Sequence, residues 1–260
     1  MTLRSLLGAA NRKLLSSVYR RMIPLGDRGP IVSFGFDDFP RSAYLVGGAI
    51  LESFGARGTY YAAAGLMNTS NGLGDICTDD DLHSLLAKGH ELGTQTFEHS
   101  SCRKVSLAYF EKDVRQGIEV VERLTGHQAR GFAYPYGHVT VGTKKAFRDL
   151  SSVRSIYPGI NGPDIDLNLL LANHVYGDMD VAASLGELIR QNIDQKGWLI
   201  FYTHDVRPNP SEYGCTPALF EFAVSESAKS GARILTIGQV LQEMGLAAGQ
   251  TAPEVRPISP

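Results

Sequence analysis

Strand-like and helix-like segments alternate along the chain from Ile31 to about Met244. The strand-like segments read IVSFGF, RGTYYAA, HELGTQT, RGFAYP, SVRSIY, NLLLANHVY, GWLIFYTH and ARILTIG. Amphipathic or capped helical segments separate most of them, of which SLAYFEKDVRQGIEVVERLTG is the clearest. This alternation predicts an α/β fold with a parallel sheet, and about seven strands in this length favour a barrel or near-barrel. In such barrels the active site lies at the carboxyl ends of the strands.

Composition narrows the class of protein without naming a function. The 260 residues suffice for one large domain or two small ones. The net charge of −2 gives no indication of a nucleic acid partner. Cys77, Cys102 and Cys215 lie far apart and form no C-x-x-C pair, which argues against a disulfide framework or a zinc knuckle and favours a reducing compartment.

The first 26 residues form a segment of their own. They carry five basic residues, no acidic residue, and leucines at roughly helical spacing. We therefore predict a basic amphipathic helix at 1–26, a catalytic domain at 27–248 and a proline-rich tail at 249–260. The helix either docks on the domain or lies on an anionic membrane surface. Because no export signal is evident, we expect a cytoplasmic protein, peripheral to the inner membrane in the second case.

Polar residues follow several of the predicted strands. They are Asp37 and Asp38; Gln95, Glu98 and His99; Tyr134, Tyr136 and His138; and His204 and Asp205. A single histidine is usually structural, and an Asp-Asp pair is usually a turn or a helix cap. Their joint placement at successive strand ends instead predicts a metal site with acid and base groups.

At these positions the sequence resembles the polysaccharide deacetylase family (carbohydrate esterase family 4, the NodB homology domain). The family motif TFDDG appears as GFDDF, the motif H-S/T-x-x-H as QTFEH, the motif R-x-P-Y/F-G as FAYPYG, and the late histidine motif as WLIFYTH. The order and approximate spacing are those of the family from Ile31 to about Met244. The resemblance implies a distorted (β/α) barrel and metal-dependent removal of an acetyl group from an N- or O-acetylated sugar.

The resemblance also assigns roles to individual residues. Asp37 is expected to be the general base, and Asp38 and His99 are expected to bind a divalent metal. The metal is expected to be zinc, with manganese, cobalt and nickel as alternatives. His204 is expected to be the general acid, and the backbone N–H of Tyr136 is expected to support the oxyanion.

Two positions depart from the family pattern. Gln95 replaces a metal-binding histidine and is expected to be a weak third ligand or a bystander, since an amide binds zinc more weakly than imidazole. Glu98 and Cys102 are nearby substitutes in the sequence. Ala133 replaces the arginine that orients the base by pairing with a later aspartate, for which Asp164 and Asp166 are candidates. His138 is a candidate replacement for the missing positive charge.

The sequence therefore predicts a hydrolase that removes an acetyl or formyl group from an amino sugar or an O-acylated sugar. The expected context is biosynthesis of a surface polysaccharide such as an O-antigen, with a lipid- or nucleotide-linked saccharide as substrate and no nucleic acid partner. Tyr134, Pro135 and Tyr202 are candidate substrate contacts, although aromatic residues there could equally pack the barrel. The alternatives are a catalytically silent domain that binds glycans or proteins, and a hydrolase for a non-sugar amide.

Overall fold

The computed structural model describes residues 11–129 and 131–246. Its strands are β1 (Met22–Pro24), β2 (Ile31–Phe36), β3 (Thr59–Ala62), β4 (Ser70–Asn71), β5 (Gly74–Asp75), β6 (Glu91–Thr94), β7 (Phe132–Ala133), β8 (Val153–Arg154), β9 (Asp164–Asp166), β10 (Asn173–His174), β11 (Trp198–Thr203) and β12 (Arg233–Ile234). Its helices are α1 (Ala49–Ser53), which continues a π-helical segment at Ala43–Gly48, α2 (Asp79–Ala87), α3 (Leu107–Thr125), α4 (Val141–Ala146), α5 (Ala182–Gln195), α6 (Pro217–Lys229) and α7 (Ile237–Glu243).

The main sheet is parallel and curls into a half-barrel, as the alternation of strands and helices predicted. Its strand order is β10-β11-β2-β3-β6-β7-β8, and β12 pairs with β2 beside this path. An isolated parallel bridge joins Arg154 of β8 to Leu170, shortly before β10. The predicted α/β fold is therefore confirmed, and the carboxyl ends of its strands meet at one end of the half-barrel.

Strands β2 and β11 lie side by side in the middle of this sheet and are buried along their full lengths. Burial on both faces explains why their sequences are almost continuously apolar instead of alternating. The indole N–H of Trp198 donates to Ser33 Oγ over 2.9 Å and so satisfies both buried polar groups.

Helix α3 shows how local sequence sets the boundaries of an element. Ser106 caps its first turn by accepting a hydrogen bond from the N–H of Tyr109, and Gly126 ends it in the left-handed conformation. Phe110, Val114 and Val121 lie on its buried face. The helix thereby covers the sheet beside β6 and β7 and fixes the loop that follows β6.

The N-terminal segment docks on the domain where the structure describes it. Residues 11–15 are helical, but the chain then turns, and β1 pairs antiparallel with β9, so the helix predicted at 1–26 is shorter in this part. Leu15 is fully buried, and its carbonyl oxygen accepts a hydrogen bond of 2.8 Å from Lys144 Nζ. The guanidinium of Arg21 is likewise buried, where it donates to backbone carbonyls. Residues 1–10 and the predicted tail at 249–260 lie outside the described residues.

Candidate active site

The polar residues at the strand ends line one cavity of about 880 Å³. Asp37 and Asp38 enter it from the end of β2, Gln95 and His99 from the loop after β6, and His204 from the end of β11. The structure thus brings together the residues to which the resemblance assigns the base, the metal ligands and the acid.

Asp37 is almost completely buried and forms an ion pair with Arg154, whose side chain is also buried. Burial alone would lower the pKa of Arg154, but the adjacent Asp37 carboxylate raises it above its ordinary value. Arg154 binds Asp37 Oδ1, and Asp37 is among the residues that line the cavity.

Arg154 supplies the guanidinium that is missing at position 133, where this chain has an alanine. The two residues are register partners on neighbouring strands, β7 and β8. Paired residues of a parallel sheet project from the same face about 4.8 Å apart, so a side chain from either can reach the same point. The small Ala133 leaves space there, and the guanidinium of Arg154 lies over the rings of Tyr61 and Tyr202 at 5.0 and 4.9 Å.

Asp38 and His99 form the second half of the site. Asp38 Oδ1 lies 2.9 Å from His99 Nε2, yet this buried oxygen has no partner with hydrogen-bond geometry among the described residues. Burial would raise the pKa of Asp38, but the neighbouring His99 outweighs it and lowers the pKa. A carboxylate and an imidazole are both common ligands of divalent metals, so this pair would suit two ligands of one cation.

Gln95 lies beside this pair but is engaged in another contact. Its Oε1 accepts a hydrogen bond of 2.9 Å from the backbone N–H of Asp38. In the part of the chain that the structure describes, no group of three His, Cys, Asp or Glu side chains is placed to hold a metal ion. The donor set is therefore one carboxylate, one imidazole and one amide oxygen that already accepts a hydrogen bond, which fits a weakly held cation.

The two substitute ligands suggested by the sequence are used elsewhere. Glu98 lines the cavity, but its carboxylate accepts a hydrogen bond of 2.5 Å from the hydroxyl of Tyr109. The thiol of Cys102 donates to the carbonyl oxygen of His138 over 3.0 Å, and burial raises the pKa of this thiol to about 11. Cys102 therefore bonds to the backbone and is not among the residues that line the cavity.

The loop that carries His99 is held by α3. Asp113 Oδ1 accepts hydrogen bonds from the backbone N–H groups of Phe97 and Glu98, at 3.0 and 2.8 Å. Gly117 allows the close approach, because a Cβ there would lie 2.7 Å from the carbonyl oxygen of Thr96. Helix α3 therefore positions one of the two candidate metal ligands.

His204 has a defined tautomer. Its Nδ1 lies 3.1 Å from the carbonyl oxygen of Tyr213, and since a carbonyl can only accept, Nδ1 carries the proton. In the neutral ring, Nε2 is then the nitrogen without a proton. Asp205, the next residue, is fully buried and accepts two hydrogen bonds from Ser211, so it shapes the loop around His204.

Three other residues suggested by the sequence do not take part. His138 pairs with Ser101 Oγ at 2.7 Å and is not a partner of Asp37. Asp164 and Asp166 lie on β9, where Asp166 pairs with Lys144, so neither meets the arginine at the site. Asp166 instead holds the N-terminal segment by accepting a hydrogen bond from the backbone N–H of Arg21, and Asp164 is exposed.

The candidate substrate contacts are mostly packing residues. Tyr134, Pro135 and Tyr202 are all buried, although the two tyrosines also line the cavity. Tyr136 is the most exposed aromatic residue at the site, with 57% of its surface accessible and its ring 4.6 Å from that of His99. Tyr176, which the sequence reasoning missed, lines the cavity beside His204 at a ring separation of 6.0 Å.

The backbone is strained around the cavity. Asp38, Phe39, Thr96, His99 and Tyr136 all have positive φ angles between 51° and 66°. Such conformations cost about 1–3 kcal/mol each and concentrate at functional sites. The surrounding packing therefore holds these side chains in orientations that the local backbone does not prefer.

Comparisons with known proteins bear on the family resemblance and on the fold. The sequence profile of the polysaccharide deacetylase family matches residues 26–152. The comparison with curated protein sequences gave no significant match.

Solved structures extend the similarity beyond the profile match. The chitin deacetylase from the fungal pathogen Colletotrichum lindemuthianum has a TM-score of 0.61 at 15% identity and covers 88% of this chain and 95% of its own. A family 4 acetyl xylan esterase from Clostridium thermocellum in complex with a cobalt ion has a TM-score of 0.59 at 16% identity, with coverages of 84% and 93%. A mutant of a family 4 pseudoenzyme scores 0.56 at 13% identity, with coverages of 83% and 68%. At these identities the likeness concerns the fold.

Proposed function

From the premise that the chain belongs to the polysaccharide deacetylase family, through residues 26–152, we propose that it hydrolyses an acyl group, acetyl or formyl, from an amino sugar or an O-acylated sugar. The observation that carries this proposal is the buried ion pair between Asp37 and Arg154 at the cavity wall. A buried ion pair is costly to keep, and here it supplies an ionised carboxylate next to a candidate metal pair and a histidine.

Asp37 takes a proton from the attacking water. Arg154 holds its Oδ1 and fixes the orientation of the carboxylate, so that Oδ2 accepts the proton. A base must be ionised to accept a proton, and Arg154 places the opposite charge beside Asp37.

His204 supplies the proton that the leaving group needs. With Nδ1 bound to the carbonyl of Tyr213, the proton is delivered from Nε2 to the amine or alkoxide that departs. The hydrogen bond at Nδ1 also fixes the orientation of the ring. The backbone N–H of Tyr136, at the turn that lines the cavity, donates to the oxyanion.

Asp38 and His99 would hold a divalent cation, with Gln95 as a weak third ligand or a bystander. Such an ion polarises the acyl carbonyl and lowers the pKa of a bound water. Zinc is our first expectation, with manganese, cobalt and nickel as alternatives, because an amide oxygen and a carboxylate suit harder ions as well. Low occupancy after purification is expected, since one imidazole of the family set is absent.

The substrate is proposed to be a saccharide built into a surface polysaccharide, such as an O-antigen, while it is attached to a lipid or a nucleotide. The cavity supports this class because it is large enough for a sugar and its wall is rich in tyrosine. We propose a cytoplasmic location, at the inner membrane for a lipid-linked substrate. Among the described residues, no helix is long and apolar enough to cross a membrane.

The test is an assay of the full chain against N-acetylated, N-formylated and O-acetylated sugars, with zinc, manganese, cobalt or nickel added in turn. We expect metal-stimulated release of acetate or formate, and His204→Ala should reduce it by about 10²–10⁴-fold. Release that is equal in the His204→Ala protein would assign the activity to a contaminant. No release with any metal or sugar would contradict the proposal.

A second candidate function is a catalytically silent domain that binds a glycan. It is favoured by one observation, namely that Gln95 Oε1 is hydrogen-bonded to the backbone of Asp38 in place of a third strong metal ligand. The two candidates are separated by a binding measurement with an acetylated oligosaccharide. Binding without turnover, unchanged by added metal and by Asp37→Asn, would favour the silent domain.

A further inference from the structure

Five exposed basic residues lie on one side of the domain. They are Arg12 and Lys13 in the helix at 11–15, Arg103 and Lys104 in the loop before α3, and Lys145 in α4. Among the residues that the structure describes, none of the five has a carboxylate partner. We call this set the basic face. The whole chain has a net charge of −2, so the face does not reflect a generally basic protein.

Direct contacts join the three elements of the basic face. The hydrogen bond from Lys144 to the carbonyl of Leu15 ties the helix at 11–15 to α4. Helices α3 and α4 also adjoin, because a Cβ on Gly142 would lie 3.2 Å from Leu107 Cδ2. The loop 101–104 reaches the start of α4 through the bond between Ser101 Oγ and His138. The face is therefore one continuous surface.

The basic face borders the mouth of the candidate active site. His138, to which the loop 101–104 is bound, directly follows Tyr136 and Gly137, and both of these line the cavity. Tyr157 follows another lining residue, Ile156. Burial raises the pKa of Tyr157, and the positive charges of Arg103 and Arg12 partly offset this, which places both guanidinium groups near it.

Exposed apolar side chains stand among these basic residues. Leu14 is 48% accessible, Leu107 is 42% accessible and Val141 is 38% accessible. Basic residues with interspersed large apolar side chains are typical of surfaces that lie on anionic bilayers, where the charges meet the headgroups and the apolar groups enter the interface. A polyphosphate chain would engage the charges but would leave the leucines and the valine in water.

We propose that the basic face docks on a bilayer that contains anionic phospholipids and thereby holds the cavity mouth beside the membrane surface. The headgroup phosphates contact Arg12, Arg103 and Lys104, while Leu14 and Leu107 enter the interface. The extension that the acyl sugar reaches the cavity on a lipid carrier rests on the proposed function. Docking itself does not depend on turnover and is measured separately from it.

The test is co-sedimentation of the full chain with vesicles of phosphatidylcholine alone or with 30–40% phosphatidylglycerol, at low and high salt. The variant R103Q/K104Q removes two charges from the face. The matched control, R190Q/K229Q, removes two exposed charges from α5 and α6, where each is paired with a glutamate of its own helix. Since each basic residue near an anionic surface contributes roughly fivefold, R103Q/K104Q should bind about 25-fold more weakly, while the control binds like the wild type.

A third variant separates the apolar contribution from the charges. Leu107→Gln should weaken binding to the anionic vesicles by a similar factor at low and high salt, because salt screens only the charges. The docking proposal is overturned if the wild type does not bind anionic vesicles at low salt. It is also overturned if R103Q/K104Q binds as well as R190Q/K229Q, which would assign the membrane contact to another part of the chain.

Discussion

The two halves of the candidate active site depart from the family pattern in different ways. On the base side, the arginine is absent at Ala133, but Arg154 from the register partner supplies a guanidinium to Asp37. On the metal side, the histidine is absent at Gln95, and no described His, Cys, Asp or Glu replaces it. One loss is compensated from a neighbouring strand, and the other is not.

The contrast indicates which property of the site is retained. A base held by a buried arginine is of little use to a domain that only binds, because an unneeded buried ion pair can be replaced by apolar residues at no cost in stability. A metal site with fewer strong ligands can still function, at lower affinity. The comparison therefore favours an enzyme with a weakened metal site over a silent domain, and the following predictions test it.

The largest effect is expected on the base side. Asp37→Asn should reduce turnover by about 10²–10⁴-fold or more, because an amide cannot accept the proton from water. Metal binding should remain nearly unchanged, since Asp38 and His99 are intact. Turnover and metal affinity are measured on the same preparation, by acetate or formate release and by titration calorimetry. Wild-type turnover in this variant would contradict the assignment of the base.

The ion pair itself is tested by removing its cation. Arg154→Met should destabilise the fold by about 3–5 kcal/mol, because Asp37 is left as an uncompensated buried charge. The double variant D37N/R154M should be more stable than R154M, since both charges are gone. Denaturant unfolding of the two single variants and the double variant gives the coupling energy.

Because Ala133 and Arg154 are register partners, the arginine can be moved from one strand to the other. In R154A/A133R the arginine returns to β7 at a position that projects from the same face. We expect this variant to recover most of the stability and turnover that R154A loses. If R154A/A133R is no better than R154A, the two positions are not interchangeable sources of the guanidinium.

The metal side is tested by restoring the imidazole. Gln95→His should raise zinc affinity by about 10–100-fold, the range typical of changes around a metal. Gln95→Asn, which keeps an amide but shortens it, is the matched control and should not raise affinity. Equal affinities of the wild type and the Gln95→His protein would mean that residue 95 does not contact the metal.

The smallest effect is expected at an ion pair outside the cavity, between Asp81 and Arg41, whose side chain is 41% exposed. Burial would raise the pKa of Asp81, but hydrogen bonds from Arg41 and from Thr78 at the cap of α2 lower it. The pKa of Asp81 is lower in the folded state than in the unfolded state, where it is about 3.9, so the ionised carboxylate stabilises the fold at pH values above about 3.9. This stabilisation is lost as the pH falls through the folded-state pKa.

Asp81→Asn should therefore lower the free energy of unfolding by about 1 kcal/mol at pH 7. The difference from the wild type should shrink below about pH 4. Denaturant unfolding at several pH values measures it. If Asp81→Asn lowers the free energy of unfolding at pH 7 as much as Arg154→Met does, the difference in burial between the two ion pairs does not set their contributions to stability.

The sequence was sufficient to predict the sheet and the positions of its strand ends. Apolar runs such as those of β2 and β11 are long, and α3 carries its own cap and C-terminal glycine, so local rules identify them. The convergence of Asp37, His99 and His204 followed from the parallel topology.

What the sequence did not reveal depends on register. Arg154 and Asp37 are 117 residues apart, and their contact depends on how β7 and β8 align, which no local pattern specifies. A charged residue inside the strand-like segment SVRSIY was the available signal. The pairing of β1 with β9 was missed for the same reason, so Asp164 and Asp166 remained candidate partners of an arginine although Asp166 pairs with Lys144.

The strained backbone at the cavity has a consequence for attempts to make this protein more robust. Glycine adopts positive φ without the penalty paid by Asp38, His99 or Tyr136, so replacing the strained residues with glycine would relieve strain and raise thermal stability. Two of these three are candidate metal ligands, and the third contacts His99. A selection for heat resistance alone would therefore favour variants that disrupt the candidate active site, and such a selection has to be coupled to the proposed turnover.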